Sequence, residues 1–150
     1  MDHTFKQINL YYDIVQSDLV IISTGRLVGL GIIEIENIEK VTVPFQDSEL
    51  YNKINNCLEQ CYSRIPPIPA KSSSLAIMLN KKNYSQATKN KKLIVLTWDE
   101  DEGYIICPTQ KEKRNGYQHL VESQLILGQK LDETNLTSAI NKCIELSTIF

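Results

Sequence analysis

Leu93-Ile94-Val95-Leu96-Thr97-Trp98-Asp99-Glu100-Asp101-Glu102-Gly103-Tyr104-Ile105-Ile106-Cys107-Pro108 is the stretch that decides the fold. Two apolar runs rich in β-branched residues flank four acids and a glycine. β-Branched side chains suit a pleated, packed surface, and a polar Gly-ended segment suits a tight reversal, so the stretch predicts an antiparallel hairpin.

Working outward, Gln110 to Tyr117 is a charged loop and Leu120 to Leu127 a further strand closed by Gly128. Asp132 caps a last helix, with Leu136, Ala139, Ile140, Cys143, Ile144 and Ser147 on one side. On the N-terminal side of the hairpin, Lys81 to Lys92 is a polar, lysine-rich loop. Lys71 to Asn80 fits a short helix or a strand, with helix preferred. Asp47 or Ser48 caps a longer helix whose Leu50, Ile54, Cys57, Leu58 and Cys61 recur at three- and four-residue steps. It must stop by Ile65, because Pro66-Pro67-Ile68-Pro69 cannot continue it.

Nearer the N-terminus, Asp18 to Thr24 is a buried strand ending at Gly25, and Leu27 to Ile35 a second strand eased by Gly29 and Gly31. Lys40 to Phe45 is a third, which must lie at an edge or end at Pro44, since proline lacks an amide donor. Residues 2–16 fit a helical face and a strand alike, and both stay open. These elements add up to an α+β fold. It is a single globular domain over residues 1–150, with a mainly antiparallel β-sheet and α-helices packed on it.

The chain has 150 residues, 42% of them hydrophobic and 23% charged, with a net charge of −2. That balance matches folded domains and excludes both a strongly basic nucleic-acid binder and a polyacidic tail. No run approaches the roughly 18 apolar residues of a membrane span, and Met1 to Lys6 has no signal-peptide character. A cytoplasmic protein is therefore expected, with Cys57, Cys61, Cys107 and Cys143 as thiols.

Each pattern that could carry chemistry has a plainer explanation. Cys57 and Cys61, four apart on a helix, could join Cys143 and His119 around zinc. The same cysteines lie on apolar faces, where thiols behave as small hydrophobes. Cys107 is the cysteine expected to have some access, but no oxyanion motif accompanies it. Gly25-Arg26-Leu27-Val28-Gly29-Leu30-Gly31 lacks the GK[ST] ending of a phosphate loop and the third glycine of a dinucleotide fingerprint. A hairpin turn with a glycine-relieved strand explains it better. Trp98 is weighed as a partner anchor and as a core aromatic, with core favoured. No cofactor, metal or small-molecule substrate is expected.

Ile54-Asn55-Asn56-Cys57-Leu58-Glu59 echoes Ile140-Asn141-Lys142-Cys143-Ile144-Glu145. A duplicated strand–helix unit and two independent amphipathic helices account for it equally. Charge is segregated along the chain: residues 1–60 carry net −5, residues 61–120 net +5 and residues 121–150 net −2. Separate patches of both signs can steer and orient a charged partner. Four consecutive acids on one turn repel each other, so a basic partner would gain more from them than the fold does. Asp99, Glu100, Asp101 and Glu102 are therefore the candidate partner-binding residues. A solvated turn that protects a hairpin edge is the plainer alternative.

The layout from Leu93 onward continues through Gly116-Tyr117 and Ser123-Gln124-Leu125-Ile126-Leu127-Gly128 to Leu136 and Ser147. Together with the Asp47-Ser48-Glu49-Leu50 helix that ends at Ser63-Arg64, it resembles the immunity proteins of bacterial contact-dependent growth inhibition (CdiI). The likeness covers about two-thirds of the chain. It departs where a Leu-Gly pair would open each helix, since Leu50-Tyr51 and Leu136-Thr137 stand there. The resemblance implies a small cytosolic protein that is not an enzyme. Such a protein binds the C-terminal toxin domain of a cognate effector, commonly a nuclease, and neutralises it. Neither a membrane nor direct nucleic-acid binding is then expected. The alternatives are a small α/β enzyme or metal-binding protein, and a nucleic-acid-binding regulatory module using the lysines of residues 81–92. Metal content would mark the first, and salt-dependent binding of DNA or RNA the second.

Overall fold

Residues 5–13 settle as strand β1 (Phe5–Asp13), because they pair along one side throughout and, from Ile8 on, along both. The computed structural model describes residues 3–114 and 116–150. β1 lies between β2 (Asp18–Leu27) and β4 (Lys91–Asp99), antiparallel to each. β3 (Gly31–Thr42) forms one edge beside β2, and β5 (Gly103–Glu112) follows β4 on the other side. Beyond β5 lie β6 (Gly116–His119) and β7 (Leu125–Gly128), while β8 (Thr148–Ile149) runs parallel to the last part of β5. The described residues thus form an eight-stranded, mainly antiparallel sheet with the strand order β3-β2-β1-β4-β5-β6.

Alternation along the strands gives the sheet two buried faces. Ile8, Leu10, Leu19, Ile21, Ile94, Leu96 and Ile106 pack under α1 (Asp47–Glu59) and α4 (Glu133–Leu146). Tyr11, Val20, Ile22, Leu93 and Val95 face the other way, toward α2 (Ser74–Met78) and α3 (Tyr84–Ala87). Burial on both faces is why β2 reads as the unbroken run Leu19-Val20-Ile21-Ile22 and not as an alternating one. The result is an α+β fold, and the predicted helix faces hold for Leu50, Ile54, Cys57 and Leu58 and for Leu136, Ala139, Ile140 and Cys143, all buried. α1 ends at Glu59, so Cys61 is buried from the turn after the helix and not from its face. α1 and α4 pack against each other over one cluster, so the echo between residues 54–59 and 140–145 falls on two helices that share a core, α1 over β1–β3 and α4 over β4, β5 and β7.

Several boundaries differ from expectation. Gly25 does not end β2. The strand continues to Leu27, and Val28–Leu30 is the turn, closed by Leu30 N–H donating to Leu27 O at 3.0 Å. The two strands expected in residues 27–45 are then one long edge strand, β3, which stops at Thr42 before Pro44. α1 starts after Gln46, so Asp47 sits in the first turn and makes no side-chain cap. Its carboxylate still lies near the positive helix end and accepts from Thr134 Oγ1 at 3.4 Å, tying the starts of α1 and α4. Asp132 does cap α4, accepting from Asn135 N–H at 2.9 Å.

The polar segment at 81–92 is not all loop. Asn83 Oδ1 accepts from Gln86 N–H at 2.9 Å and opens α3, whose Ala87 is fully buried. Lys91 and Lys92 already belong to β4. The charged stretch at 110–117 is mostly strand, because β5 runs on to Glu112 between β6 and β8. Main-chain pairing fixes that segment, with Lys111 and Glu112 half-buried and Lys113 and Arg114 exposed. Leu120–Leu127 is not one strand: a 3-10 turn at Val121–Ser123 separates β6 from β7.

Candidate partner interface

The four acids sit where β4 reverses into β5. Asp99 Oδ1 accepts from Asp101 N–H at 2.8 Å and from Glu102 N–H at 3.1 Å, so one carboxylate shapes the turn. Two outside contacts hold it: Glu100 N–H donates to Thr4 O at 3.2 Å, and Gln129 Nε2 donates to Asp101 O at 3.1 Å. Gly103 closes it at φ +75°, with the Gly128 backbone packed so closely that a Cβ would lie 2.4 Å from Gly128 O. Asp99 is half-buried, and Glu100, Asp101 and Glu102 are exposed. The structure therefore brings the four predicted residues together on a turn braced by the start of β1 and the end of β7. A braced turn gives up little freedom when a partner binds.

Asp99 departs from the reading that the fold gains little from these acids, because its carboxylate holds two amides that water would otherwise satisfy. The side chains of Glu100, Asp101 and Glu102 carry no such duty among the described contacts. Trp98 stands on the same strand face as Leu96 but belongs to neither buried cluster. It is half-buried next to the acids, not part of the core. Ile126 on β7, two residues from Gly128, is 73% exposed and adds apolar surface nearby.

The segregation of charge becomes spatial. β4 runs nine residues from Lys91 to Asp99, which at about 3.3 Å per residue separates its ends by about 26 Å. The acids occupy one end. Lys89, Lys111, Lys113 and Arg114 gather at the other, beside α3 and the β5–β6 turn. The stretch of net +5 in sequence is thus two opposed poles in space. Sequence reasoning missed Lys111, Lys113 and Arg114 as part of the basic pole, because partners in a hairpin end are distant from residues 81–92 along the chain.

The cysteines are structural. Cys57, Cys61, Cys107 and Cys143 are all free and buried. Cys107 thus lacks the access expected of it. Burial pushes the Cys57 and Cys143 thiols up to about 12, and Cys61 and Cys107 upward too. These are inert thiols at neutral pH. His119 lies exposed on β6, and no three metal-ligating side chains gather among the described residues. No helix of the described residues is long and apolar enough to cross a membrane.

No protein-family model matches the chain, and no curated protein matches it significantly. Solved structures do. A protein of unknown function from Neisseria meningitidis superposes with a TM-score of 0.71 at 10% identity, over 98% of both chains. A chain in the CdiA-CT/CdiI toxin and immunity complex from Yersinia pseudotuberculosis superposes with a TM-score of 0.69 at 11% identity, over 97% of this chain and 98% of that one. The fold is CdiI-like.

Proposed function

We propose that this chain is an immunity protein: it binds the C-terminal toxin domain of a cognate contact-dependent growth inhibition effector and neutralises it in the cytoplasm. The observation that supports this most is the full-length likeness to a chain of a toxin–immunity complex. On this reading the toxin is a nuclease, whose nucleic-acid surface is basic, and Asp99, Glu100, Asp101 and Glu102 meet that surface in place of phosphate. Trp98 sits beside them as an aromatic contact.

The test is association kinetics with the cognate toxin domain at two ionic strengths. The variant D99N/E100Q/D101N/E102Q removes four charges, while the side-chain amide it places at position 99 keeps an oxygen to accept from the turn's N–H groups. Its on-rate should fall and its salt dependence weaken, since rim charges act mainly on encounter. An on-rate equal to wild type would remove the acidic turn from the interface. A failure of the unmodified chain to bind or protect against the neighbouring effector's toxin would remove the function itself.

A further inference from the structure

The basic pole is concave. Between α3 and the β5–β6 turn lies a cleft of about 600 Å³, in the size range of small-ligand sites. Lys89, Lys111, Lys113 and Arg114 line it from two segments of a chain whose net charge is −2. Of these, Lys111 is fixed: its Nζ donates to Thr88 O at 2.6 Å and lies 5.4 Å from the centre of the Tyr117 ring. Tyr117 is held in turn by its hydroxyl on Lys91 O at 2.7 Å, and Phe150 N–H bonds Lys111 O at 3.0 Å. Desolvation, then the nearby Lys91, lowers the pKa of Lys111, and an incoming anion would offset the repulsion between the two cations. The ion pairs of the described residues join Lys40, Lys91 and Lys142 to acids, not the four cations of the cleft. Glu112 also lines it and is the acid an anion must avoid.

We infer that this cleft binds a small ligand carrying a chain of phosphoryl groups, held by Lys89, Lys111, Lys113 and Arg114. The shape of the charge favours this over an acidic peptide. Residues of an extended peptide are about 3.3 Å apart with alternate side chains pointing oppositely, so their carboxylates do not converge on one concavity. A triphosphate places several charges within the span of one cleft, and Lys and Arg are both suited to phosphate. Exposed rings at the rim, Tyr84 at 39% and Phe150 at 67%, offer stacking surface for a base as well. The inference stands apart from the immunity function and departs from the expectation that no small molecule binds.

Purified full-length protein is titrated calorimetrically at fixed ionic strength with inorganic triphosphate, with ATP and with hexaglutamate. Saturable one-to-one binding of triphosphate is expected, weakened at least tenfold in K113Q/R114Q, whose changed residues are exposed. K130Q/K142Q removes the same charge elsewhere and should bind within twofold of wild type. ATP binding tighter than triphosphate would identify a nucleotide as the source, and equal binding an inorganic chain. Three results overturn the inference: no saturable binding of either phosphate, equal weakening in both double variants, or hexaglutamate binding as tightly as triphosphate.

Discussion

Gly103→Ala tests whether the acidic turn is braced by the fold. Gly103 has φ +75°, a left-handed conformation that costs an L-residue about 1–2 kcal/mol. The added Cβ would also lie 2.4 Å from Gly128 O and 2.7 Å from Gly128 C, distances that backbone atoms cannot accept. Because the obstacle is main chain, the connection from β7 to α4 must shift, at about 1–3 kcal/mol for forced overpacking. Alanine restricts the unfolded chain and returns about 0.4–1 kcal/mol. The net loss should be about 2–4 kcal/mol, from these same terms taken together. Gly29→Ala is the control, since Gly29 has φ +84° but nothing within 4 Å of its built Cβ. It should lose no more than about 1.5 kcal/mol. Urea denaturation of both variants measures the difference. If Gly103→Ala is no more destabilising than Gly29→Ala, the packing of the turn against Gly128 is not a constraint, and the rigidity assigned to the acids is wrong.

Ile54→Ala and Ile140→Ala should each cost about 2–5 kcal/mol in the same assay, because both side chains are fully buried between helix and sheet. Losses below about 0.5 kcal/mol for both would contradict the helix faces. Lys91→Met should cost about 3–5 kcal/mol, since it leaves the buried Asp13 without its ion-pair partner at 3.3 Å. Burial pushes the Asp13 carboxyl up, but the Gln16 and Val15 amides and Lys91 outweigh it and hold it below its usual range. Its stabilising contribution is therefore present above the ordinary carboxylate value and lost as pH falls through the depressed one, which acid titration of the folded state by NMR would follow. The raised thiols act with the opposite sign: stability should decline from about pH 9, where unfolded thiols ionise, toward about 12, where Cys57 would. Thiol labelling should be slow at all four cysteines until the protein unfolds, and rapid labelling of native Cys107 would contradict its burial.

Local chemistry by itself makes some elements legible. The hairpin from Leu93 to Pro108 follows from β-branched runs around a polar, Gly-ended turn, and it forms as β4 and β5. The faces of α1 and α4 follow from three- and four-residue spacing, and so does the burial of Cys57 and Cys143, whereas Cys107 is buried by the pairing of β5. Where side chains carry no period, the sequence is silent or misleading. Residues 5–13 show mixed spacing because β1 is central, with Ile8 and Leu10 turned to one helical layer and Tyr11 to the other. Gln110 to Glu112 are polar and charged and still strand, because pairing with β6 and β8 is a main-chain matter that side-chain polarity does not report.

Charge divides in the same way. The acids of the turn are contiguous, so the sequence alone determined that they form one patch. The cations of the cleft are not contiguous: Lys89 follows α3, whereas Lys111 lies near the end of β5 and Lys113 and Arg114 follow it. Only the pairing of β4 with β5 sets Lys91 near Lys111 and sends Asp99 to the far end, because antiparallel strands put the start of one beside the end of the other. Hydrophobic periodicity and turn chemistry act over a few residues, and so they can be read in order. Long-range register depends on which strands meet, and that is decided only when both faces of the sheet are buried together.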